Sequence, residues 1–349
     1  MKKIAIFQYD LGLGGIQKSL INLLNNLNLD KYEIDLYLFS KENFYNVKIP
    51  TKVNIIYLSP LPTIYKIIPF KILMKNKKYK IQKEYDITID FNGYSNECAI
   101  AALQTSSRKK IIWCHNDIIV KYKNEWKYRI LYNAFKSKYK FFDEIVNVSE
   151  GARQSFILKT KIESQRVWSI PNYINTTEII EKCKEKIEFE VDREKYNMVT
   201  VGRICHQKGF DILIEHMKNI VKQNKDINLY IIGDGPDTLK IRRLVQKKKL
   251  EQNVFFLGSK KNPFSYMKMM DAFVITSRYE GQGMVILEAK ALGLPIFIPK
   301  HLEKYVEEIE GCTNIEEDIL RAKKNNSRNV DYLETYNNNI NKKIRQLLS

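Results

Sequence analysis

The sequence predicts an α/β protein with two halves of the same kind. Short apolar stretches, including residues 4–7 and 271–276, have the length and composition of buried strands. Each is followed by a loop that contains glycine, and then by a segment whose apolar residues recur with helical spacing. Strands that alternate with helices in this way are typical of parallel sheets. We therefore expect a parallel sheet with helices in each half.

The predicted domain boundary lies near residue 175. The chain has 349 residues, a length that fits two domains of ordinary size. A charged, linker-like stretch occupies residues 181–197, and a second series of strands and helices begins after it. We assign residues 1–175 to an N-terminal domain and 176–330 to a C-terminal domain. We also allow the surface helix predicted over 331–349 to pack back on the first domain.

Cysteine usage and the lack of long apolar runs indicate a cytoplasmic protein. Five cysteines are scattered through the chain and form no C-x-x-C pair, so we predict reduced thiols rather than disulfides or a zinc site. The N-terminal sequence MKKIAIFQYD is typical of a first strand rather than of a signal peptide, because its apolar run is too short. No apolar stretch approaches the roughly 18 residues that a membrane-spanning helix needs.

The chain is strongly basic, with 58 Lys and Arg against 40 Asp and Glu and a net charge of +18. Three explanations remain open: binding of nucleic acid, attraction to an anionic membrane or substrate, and a lysine-rich surface that reflects only an AT-rich genome. Two segments, 64–83 and 121–142, mix basic with apolar or aromatic residues. They are candidates for membrane docking, with core helices and a solvated helix face as the alternatives.

Two features of the first half are candidates for a binding site. Gly14 and Gly15 lie between the first strand and a helix, where glycine lets the backbone approach a ligand closely. The loop does not match the G-x-G-x-x-G fingerprint, so it is weak evidence for a dinucleotide. His115 directly follows a predicted strand, at the edge where open α/β sheets bind ligands, although a lone histidine is as often structural.

Polar residues and glycines of the second half follow several predicted strands. The carboxyl ends of parallel strands share one edge of a sheet, so these residues are expected to lie together. They are Arg203, Lys208, Asp234, Gly258 and Glu280. Two cations beside a glycine loop and a helix N-terminus suit a diphosphate. Glu288 in the following helix is placed to accept hydrogen bonds from ribose, and Glu280 to hold the group on the far phosphate.

The motifs of both halves resemble those of GT-B glycosyltransferases, specifically glycosyltransferase family 4. The matching pieces are GGIQKSL, SIPNYI, VGRICHQKGFDILIEHM, IIGDGPD, FFLG and SRYEGQGMVILEAKALGLP. The last piece contains Glu280 and Glu288, which match the family's Glu-x7-Glu pair. The similarity is strong over 198–298 and weaker over 1–175.

The resemblance implies two Rossmann-like domains that face each other across a cleft, with the donor bound mainly by the second. It implies that the catalytic residues are Glu280, His115, Arg203 and Lys208. It implies that the nucleotide-sugar donor contacts Gly14, Gly15, Gly202, Arg203, Lys208, Asp234, Gly258, Ser259, Glu280, Gly281, Gln282, Gly283, Met284, Val285 and Glu288. In this scheme Arg203 and Lys208 neutralise the leaving diphosphate.

No metal or other cofactor is expected. The chain contains no Asp-x-Asp pair, and the resemblance implies that two basic residues replace the metal of the other main glycosyltransferase fold.

The chain departs from the family in two places. Residues after Pro299 lack the usual glycine-rich loop and acidic residue, and the loop 282–284 lacks the commoner aromatic residue. Contacts with the donor sugar are therefore not expected to follow the family pattern in full.

The sequence thus predicts a retaining glycosyltransferase that moves a sugar from a nucleotide-diphosphate sugar, with UDP the expected nucleotide, to a lipid-linked or polymeric glycan acceptor. The expected pathway is the biosynthesis of a cell-surface polysaccharide such as a capsule. The expected location is cytoplasmic and peripheral on the inner face of the plasma membrane, through an anionic membrane surface and without nucleic acid. Two alternatives are a nucleotide-sugar epimerase of related fold and a basic nucleic-acid-binding protein, in which the glycine and glutamate motifs have no role.

Overall fold

Two parallel β-sheets organise the chain in the computed structural model. The structure describes residues 1–12, 14–43, 49–62, 68–75, 79, 81–306, 309–324, 330–331 and 333–349. It divides into a first unit, Met1–Tyr173 with Thr335–Ser349, and a second unit, Ile174–Glu334. The predicted α/β class, with a parallel sheet in each half, is confirmed.

The described part of the first unit contains a sheet of seven parallel strands in the order β3-β2-β1-β4-β5-β6-β7. The strands are β1 (Lys2–Gln8), β2 (Tyr32–Leu38), β3 (Val53–Tyr57), β4 (Tyr85–Asp90), β5 (Ser107–Cys114), β6 (Glu144–Asn147) and β7 (Val167–Ser169). The helices that connect them are α1 (Gly15–Asn26), α2 (Phe70–Leu73), α3 (Asn96–Gln104), α4 (Ile118–Asn124), α5 (Trp126–Phe135) and α6 (Glu150–Thr160), and a 3₁₀ helix spans Lys136–Phe141.

Both faces of this sheet are buried, which explains the nearly continuous apolar runs of its strands. Side chains alternate between the faces along β1. Ile4 and Ile6 pack in one buried cluster, whereas Ala5 and Phe7 pack in the other, and each of the four is at most 1% exposed. With both faces covered, the carboxyl edge of the sheet is the place where loops can meet a ligand.

The described part of the second unit contains a smaller parallel sheet in the order β10-β9-β8-β11-β12. Its strands are β8 (Tyr196–Val201), β9 (Ile227–Ile232), β10 (Val254–Gly258), β11 (Ala272–Val274) and β12 (Ile296–Phe297). Its helices are α7 (Thr176–Lys182), α8 (Phe210–Gln223), α9 (Thr238–Lys247), α10 (Phe264–Lys268), α11 (Met284–Ala291) and α12 (Ile315–Arg321). The predicted start of a helix at Met284 is confirmed.

One strand of the second unit is shorter than the sequence predicted. We expected a strand over 271–276, but β11 ends at Val274. The chain leaves the sheet there because Thr276 turns towards the loop after β8, where its hydroxyl donates a hydrogen bond of 2.9 Å to the carbonyl oxygen of Gly209. This tertiary contact, between residues 67 positions apart, overrides the strand propensity of the apolar run.

The final helix, α13 (Glu334–Leu347), packs on the sheet of the first unit. Ile340, Ile344 and Leu347 are spaced so that they lie on one face of the helix. All three are buried in the same cluster as Ile4 and Ile6 of β1. The helix predicted over 331–349 is therefore amphipathic, with one face in the core.

Two lysines of the sheet stabilise the C-terminal end of α13. Lys2 and Lys109 donate hydrogen bonds of 2.8 Å from Nζ to the carbonyl oxygens of Leu348 and Leu347. The last carbonyl groups of a helix have no partner within the helix and carry the negative end of its dipole. The two ammonium groups therefore provide hydrogen-bond donors for these carbonyl groups and positive charge beside the negative end of the α13 dipole.

The two basic segments form short helices in the part of the chain that the structure describes. Segment 64–83 lies partly outside the described residues, and its described part includes α2. Segment 121–142 forms most of α4, all of α5 and the 3₁₀ helix. In the residues that the structure describes, none of the helices combines the length and apolar character needed to cross a bilayer.

The substitution Ile344→Ala should lower the free energy of unfolding by about 2–4 kcal/mol, because it removes buried methyl groups and leaves a cavity. Gln346→Ala, on the exposed side of the same helix, is the matched control and should change that free energy by less than about 0.5 kcal/mol. Urea-induced unfolding measures both. Equal effects of the two substitutions would contradict the packing of α13 on this sheet.

Candidate active site

The carboxyl ends of β8, β9 and β10 meet closely in the second unit. Gly233 has a φ of +146°, and a Cβ atom there would lie 2.0 Å from the carbonyl oxygen of Gly202. At Gly235, a Cβ atom would lie 2.3 Å from the carbonyl oxygen of Ile204. The backbone of Gly233 also donates a hydrogen bond of 2.9 Å to Gly258. Glycine at these positions therefore allows neighbouring loops to pack backbone against backbone at one edge of the sheet.

Asp234 stabilises its own turn at this edge. Its Oδ1 atom accepts hydrogen bonds from the Thr238 hydroxyl at 2.6 Å and from the Gly235 backbone at 2.7 Å. The bond from Thr238 is the main cause that lowers the pKa of this exposed carboxyl. Asp234 thus has a structural role before α9, and its predicted contact with a donor stays a prediction.

An ion pair joins the loops that follow β8 and β11. Lys208 Nζ lies 2.8 Å and 3.0 Å from the two carboxylate oxygens of Glu280. The Ser277 hydroxyl donates a further hydrogen bond of 2.6 Å to Glu280 Oε1. The Glu280 side chain is only 5% exposed, whereas that of Lys208 is 20% exposed. The carboxylate is therefore held in place by a cation that still reaches solvent.

A second charged contact connects the same two loops. The Arg278 guanidinium donates two hydrogen bonds to the Asp211 carboxylate, at 2.9 Å and 2.7 Å, and one of 2.7 Å to the carbonyl oxygen of His206. The backbone of Arg278 donates to Gln207, and the Gln207 side chain donates to the carbonyl of Tyr279. Arg278 is the main cause that lowers the pKa of Asp211. Such a bidentate pair fixes orientation as well as distance.

Gly209 allows the closest approach between the two loops. Its φ is +65°, and a Cβ atom there would lie 2.1 Å from the carbonyl oxygen of Thr276. Any other residue would therefore meet both an unfavourable backbone conformation and a steric clash. The requirement for glycine at this position follows from the contact with Thr276.

Helix α11 begins where the second of these loops ends. Gly283 is the N-cap residue with a φ of +73°, and within the described residues no side chain caps the helix. The backbone N–H groups of the first turn, which includes Met284 and Val285, carry the positive end of the helix dipole and suit an anion. Gln282 and Glu288 are 4% and 6% exposed. They flank this N-terminus in sequence and belong to the interior of the unit.

Arg203 and Ser259 of the predicted set are exposed, as Asp234 is. Arg203 follows β8 and makes no hydrogen bond or ion pair with any other residue that the structure describes. Ser259 follows Gly258, which has a φ of +71° at the end of β10. The guanidinium of Arg203 is therefore available to a ligand at the same sheet edge as Lys208.

The remaining predicted residues lie in the first unit. His115 follows β5 and is 8% exposed, with Nε2 at 2.7 Å from the carbonyl oxygen of Phe91. Burial lowers its pKa to about 4. Gly14 is the N-cap residue of α1, and a Cβ atom on Gly15 would have no neighbour within 4 Å. The predicted contacts of these three residues with the donor stay predictions.

The sequence analysis missed Ser277, Arg278, Asp211 and His301 as residues that support the site. Ser277 and Arg278 lie within the quoted motif, beside Glu280, and that position was a usable signal. His301 Nε2 lies 2.9 Å from the carbonyl oxygen of Ser277, and nothing in the local sequence indicates this contact. No three His, Cys, Asp or Glu side chains cluster as metal ligands within the described part of the chain, and the expected independence of metal remains a prediction.

Comparison with known families agrees with this arrangement. The family model for glycosyl transferases group 1 matches residues 182–310, and the model for Glycosyltransferase Family 4 matches residues 13–178. The two matches follow each other and together span most of the chain. The chain therefore belongs to the GT-B glycosyltransferases of this family, and it is an enzyme of the transferase class.

Individual relatives support the same class. An uncharacterised glycosyltransferase of Methanocaldococcus jannaschii is 28% identical over 65% of this chain, and the alignment spans 59% of that relative's length. An α-N-acetylgalactosaminyltransferase of Campylobacter jejuni, named for a diphospho-undecaprenol-linked acceptor, is 25% identical over 86% of this chain and 81% of its own. The crystal structure of a TarM variant from S. aureus with UDP, α-GlcNAc-glycerol and fondaparinux has a TM-score of 0.64 at 14% identity, covering 92% of each chain.

Replacing Gly209 with Ala should destabilise the protein by about 1–3 kcal/mol, because the new Cβ atom meets both a strained backbone and the Thr276 carbonyl. Gly15→Ala is the matched control, since open space surrounds that position, and it should change stability by less than about 0.5 kcal/mol. The midpoint and slope of urea-induced unfolding give both values. If Gly209→Ala were as stable as the control, the close contact between the two loops would be wrong.

Proposed function

We propose that this glycosyltransferase retains anomeric configuration and transfers a sugar from a UDP-sugar to a lipid-linked or polymeric glycan acceptor of a cell-surface polysaccharide. The observation that carries the proposal is the ion pair of Lys208 and Glu280 beside the uncapped start of α11. It combines a cation, a fixed carboxylate and the backbone N–H groups of a helix N-terminus at one sheet edge, which is what a diphosphate with an attached sugar requires.

The diphosphate is bound by the positive groups of this edge. Lys208 has three N–H donors and directs two contacts to Glu280, so one donor remains for a phosphate oxygen. Arg203 supplies an exposed guanidinium with the planar geometry that suits two phosphate oxygens. The backbone of 282–285 supplies N–H groups at the start of α11. These groups stabilise the negative charge that develops on the leaving diphosphate.

The carboxylates of the Glu-x7-Glu pair contact the two ends of the donor. Glu280 keeps free acceptor capacity after its bonds to Lys208 and Ser277, and we assign it to hydroxyl groups of the donor sugar. Glu288 lies one helical turn further along α11, and we assign it to the ribose hydroxyls. Residues 258–260, which follow β10, are assigned to the base. His115 of the first unit is assigned to the donor sugar.

The reaction replaces one bond at the anomeric carbon. The bond from this carbon to the oxygen of the β-phosphate breaks, and a bond to the acceptor oxygen forms on the same face of the sugar. The acceptor proton passes to the phosphate oxygen that leaves. Since the anomeric carbon becomes positive as the diphosphate becomes more negative, Arg203 and Lys208 lower the barrier by stabilising the leaving group. The Glu280 carboxylate also stabilises the positive charge that develops on the sugar.

The acceptor class is inferred from relatives. The Campylobacter jejuni relative is named for transfer to a saccharide on diphospho-undecaprenol, and two Escherichia coli relatives are named for O-antigen biosynthesis. The TarM structure contains UDP, which supports UDP as the nucleotide. We therefore infer a glycan built on a lipid or a polymer at the cell surface, with capsule as one example.

We further propose that the enzyme is peripheral on an anionic membrane, through the exposed side of α5 and its neighbours. Trp126 and Ile130 on α5 are 65% and 61% exposed, and Ile72 on α2 is 58% exposed. The rings of Phe70 and Phe141 lie 6.1 Å apart and connect α2 with the 3₁₀ helix. Exposed apolar side chains of this size suit the interfacial region of a bilayer.

Positive charge surrounds these apolar side chains. The exposed basic residues on α2, α5 and the 3₁₀ helix are Lys71, Lys127, Arg129, Lys136 and Lys140. Near an anionic leaflet each such residue contributes roughly 1 kcal/mol of attraction. One basic residue of this segment is not part of the surface: Lys138 is buried, so the sequence analysis was wrong to group it with the docking residues.

Replacing Arg203 or Lys208 with Ala should lower the transfer rate about 10²-fold, because each removes a positive group from the developing charge of the leaving diphosphate. Glu280→Ala should lower it to a similar extent. The measurement is sugar transfer to a lipid-linked acceptor with a panel of nucleotide sugars. Arg243→Ala, which removes an exposed cation from α9, is the control and should keep the wild-type rate.

Rates within about twofold of wild type for the three site variants would contradict the assignment. If the protein converted the nucleotide sugar to an isomer when no acceptor was present, it would be the epimerase of the alternative hypothesis. A thermal-shift panel of nucleotide sugars selects the donor beforehand, since a ligand that binds only the folded state raises the melting temperature.

The double substitution Lys127→Gln with Lys136→Gln should weaken binding to phosphatidylglycerol vesicles at least about tenfold, because two attractive charges are lost. Trp126→Ser should weaken binding to the same vesicles through loss of apolar burial. Leu239→Ser, an exposed apolar residue of α9 in the second unit, is the control and should bind normally. Flotation with and without the anionic lipid gives the values, and a wild-type protein that stays unbound in both would contradict the membrane proposal.

A further inference from the structure

Two buried charged side chains support the loop between β4 and α3. Lys138 is 3% exposed and donates a hydrogen bond of 2.7 Å from Nζ to the carbonyl oxygen of Gly93. Asp90 is fully buried, and its Oδ1 atom accepts hydrogen bonds from the backbone of Asn92 at 3.1 Å and of Gly93 at 3.0 Å. Burial of charged groups is costly. Packing alone therefore does not explain why both charged side chains are buried.

Burial shifts both groups towards their neutral forms. It lowers the pKa of Lys138 and raises the pKa of Asp90 to about 6, and the charge of each partly offsets the shift of the other. Asp90 Oδ2 has no hydrogen-bond partner among the described residues. Lys138 and Asp90 thus make their hydrogen bonds with the backbone of Asn92 and Gly93 rather than with each other.

The loop is fixed against the end of β5. Gly93 has a φ of +68°, and a Cβ atom there would lie 2.2 Å from the carbonyl oxygen of Trp113. At the start of the loop, the backbone of Phe91 donates a hydrogen bond of 3.0 Å to Phe7 of β1. Lys138 and Asp90 therefore hold a segment that has little freedom to move, and the orientation of the Phe91 carbonyl is part of that segment.

The Phe91 carbonyl determines which nitrogen of His115 carries the proton. Its oxygen lies 2.7 Å from His115 Nε2, and a carbonyl oxygen can only accept. Nε2 must therefore donate, and with a pKa of about 4 the imidazole is neutral at neutral pH. The proton of a neutral imidazole is then on Nε2, and Nδ1 presents a lone pair. Nδ1 has no hydrogen-bond partner within the described part of the chain.

We propose that Lys138, Asp90 and Gly93 are positioning residues that hold His115 in the Nε2–H form, so that Nδ1 accepts a hydrogen bond from a sugar hydroxyl. The identity of that hydroxyl rests on the proposed function, in which His115 contacts the donor sugar. The tautomer itself follows from contacts inside the first unit. His115 in this role neither donates a proton nor carries a positive charge to a phosphate.

The discriminating measurement is the tautomer of His115 by ¹⁵N NMR of the full chain labelled at histidine. The chain has four histidines, and His115→Gln identifies the signal. Wild type should show protonated Nε2 and unprotonated Nδ1. Lys138→Met keeps all but the last atom of the side-chain length and removes the donor to Gly93, and the Nδ1–H form should then become populated.

Two further variants keep the test decisive. Lys138→Met leaves Asp90 without its cation, so the double substitution with Asp90→Asn provides a second route if the single variant fails to fold. Lys110→Met is the matched control, because Lys110 also donates to a backbone carbonyl in the first unit, that of Thr105 at 2.9 Å. The control should leave the His115 signal unchanged.

Kinetics should agree with the spectra. Loss of one hydrogen bond to the donor corresponds to about a tenfold change, so Lys138→Met should raise KM for the nucleotide sugar about tenfold. Lys110→Met should not raise it. A nucleotide sugar should shift the Nδ1 signal of wild type, whereas UDP alone should not.

Three results would overturn the inference. A protonated Nδ1 in wild type would overturn the tautomer. An unchanged His115 signal in folded variants of Lys138 would overturn the positioning role. A nucleotide sugar that binds by thermal shift but leaves Nδ1 unaffected would overturn the sugar contact. If no nucleotide sugar bound at all, the proposed function would fail, whereas the tautomer measurement would still decide the positioning role.

Discussion

The connection between the loops after β8 and β11 is the constraint on which the rest of the second unit depends. Lys208 of the first loop lies 2.8 Å from the carboxylate of Glu280 in the second, and Arg278 of the second loop lies 2.7 Å from that of Asp211 in the first turn of α8. A carboxylate as buried as Glu280 is costly without a cation nearby. The ion pair therefore fixes the position at which the second loop ends. It thereby also fixes where α11 begins and the direction in which its first N–H groups point.

The same physical device is used in both units. In the second unit, a partly buried lysine and a glycine with positive φ fix a loop at the carboxyl edge of a parallel sheet. In the first unit, Lys138 and Gly93 do so, and the loop they hold orients His115. Groups that are fixed before a ligand arrives need no reorganisation during the reaction, which is the main way in which enzymes stabilise developing charge. The proposed mechanism depends on this preorganisation in the folded protein.

Local signals in the sequence were sufficient for the elements but not for their connections. The start of α11 at Met284 and the glycines at strand ends follow from nearby residues, so they were predictable. The contact between Arg278 and Asp211 joins residues 67 positions apart, and no local pattern specifies it. Lys138 was misassigned for the same reason: its neighbours are basic and aromatic, whereas its burial is decided by a loop that precedes it by 45 residues.

The most direct test of the account is a crystal structure of the protein with UDP. The β-phosphate should lie within hydrogen-bond distance of Lys208 Nζ and of the first backbone N–H groups of α11, with the Arg203 guanidinium beside it and the ribose next to Glu288. The ion pair of Lys208 and Glu280 should persist. A diphosphate bound away from the start of α11, or bound there without contact to Lys208 or Arg203, would contradict the central claim.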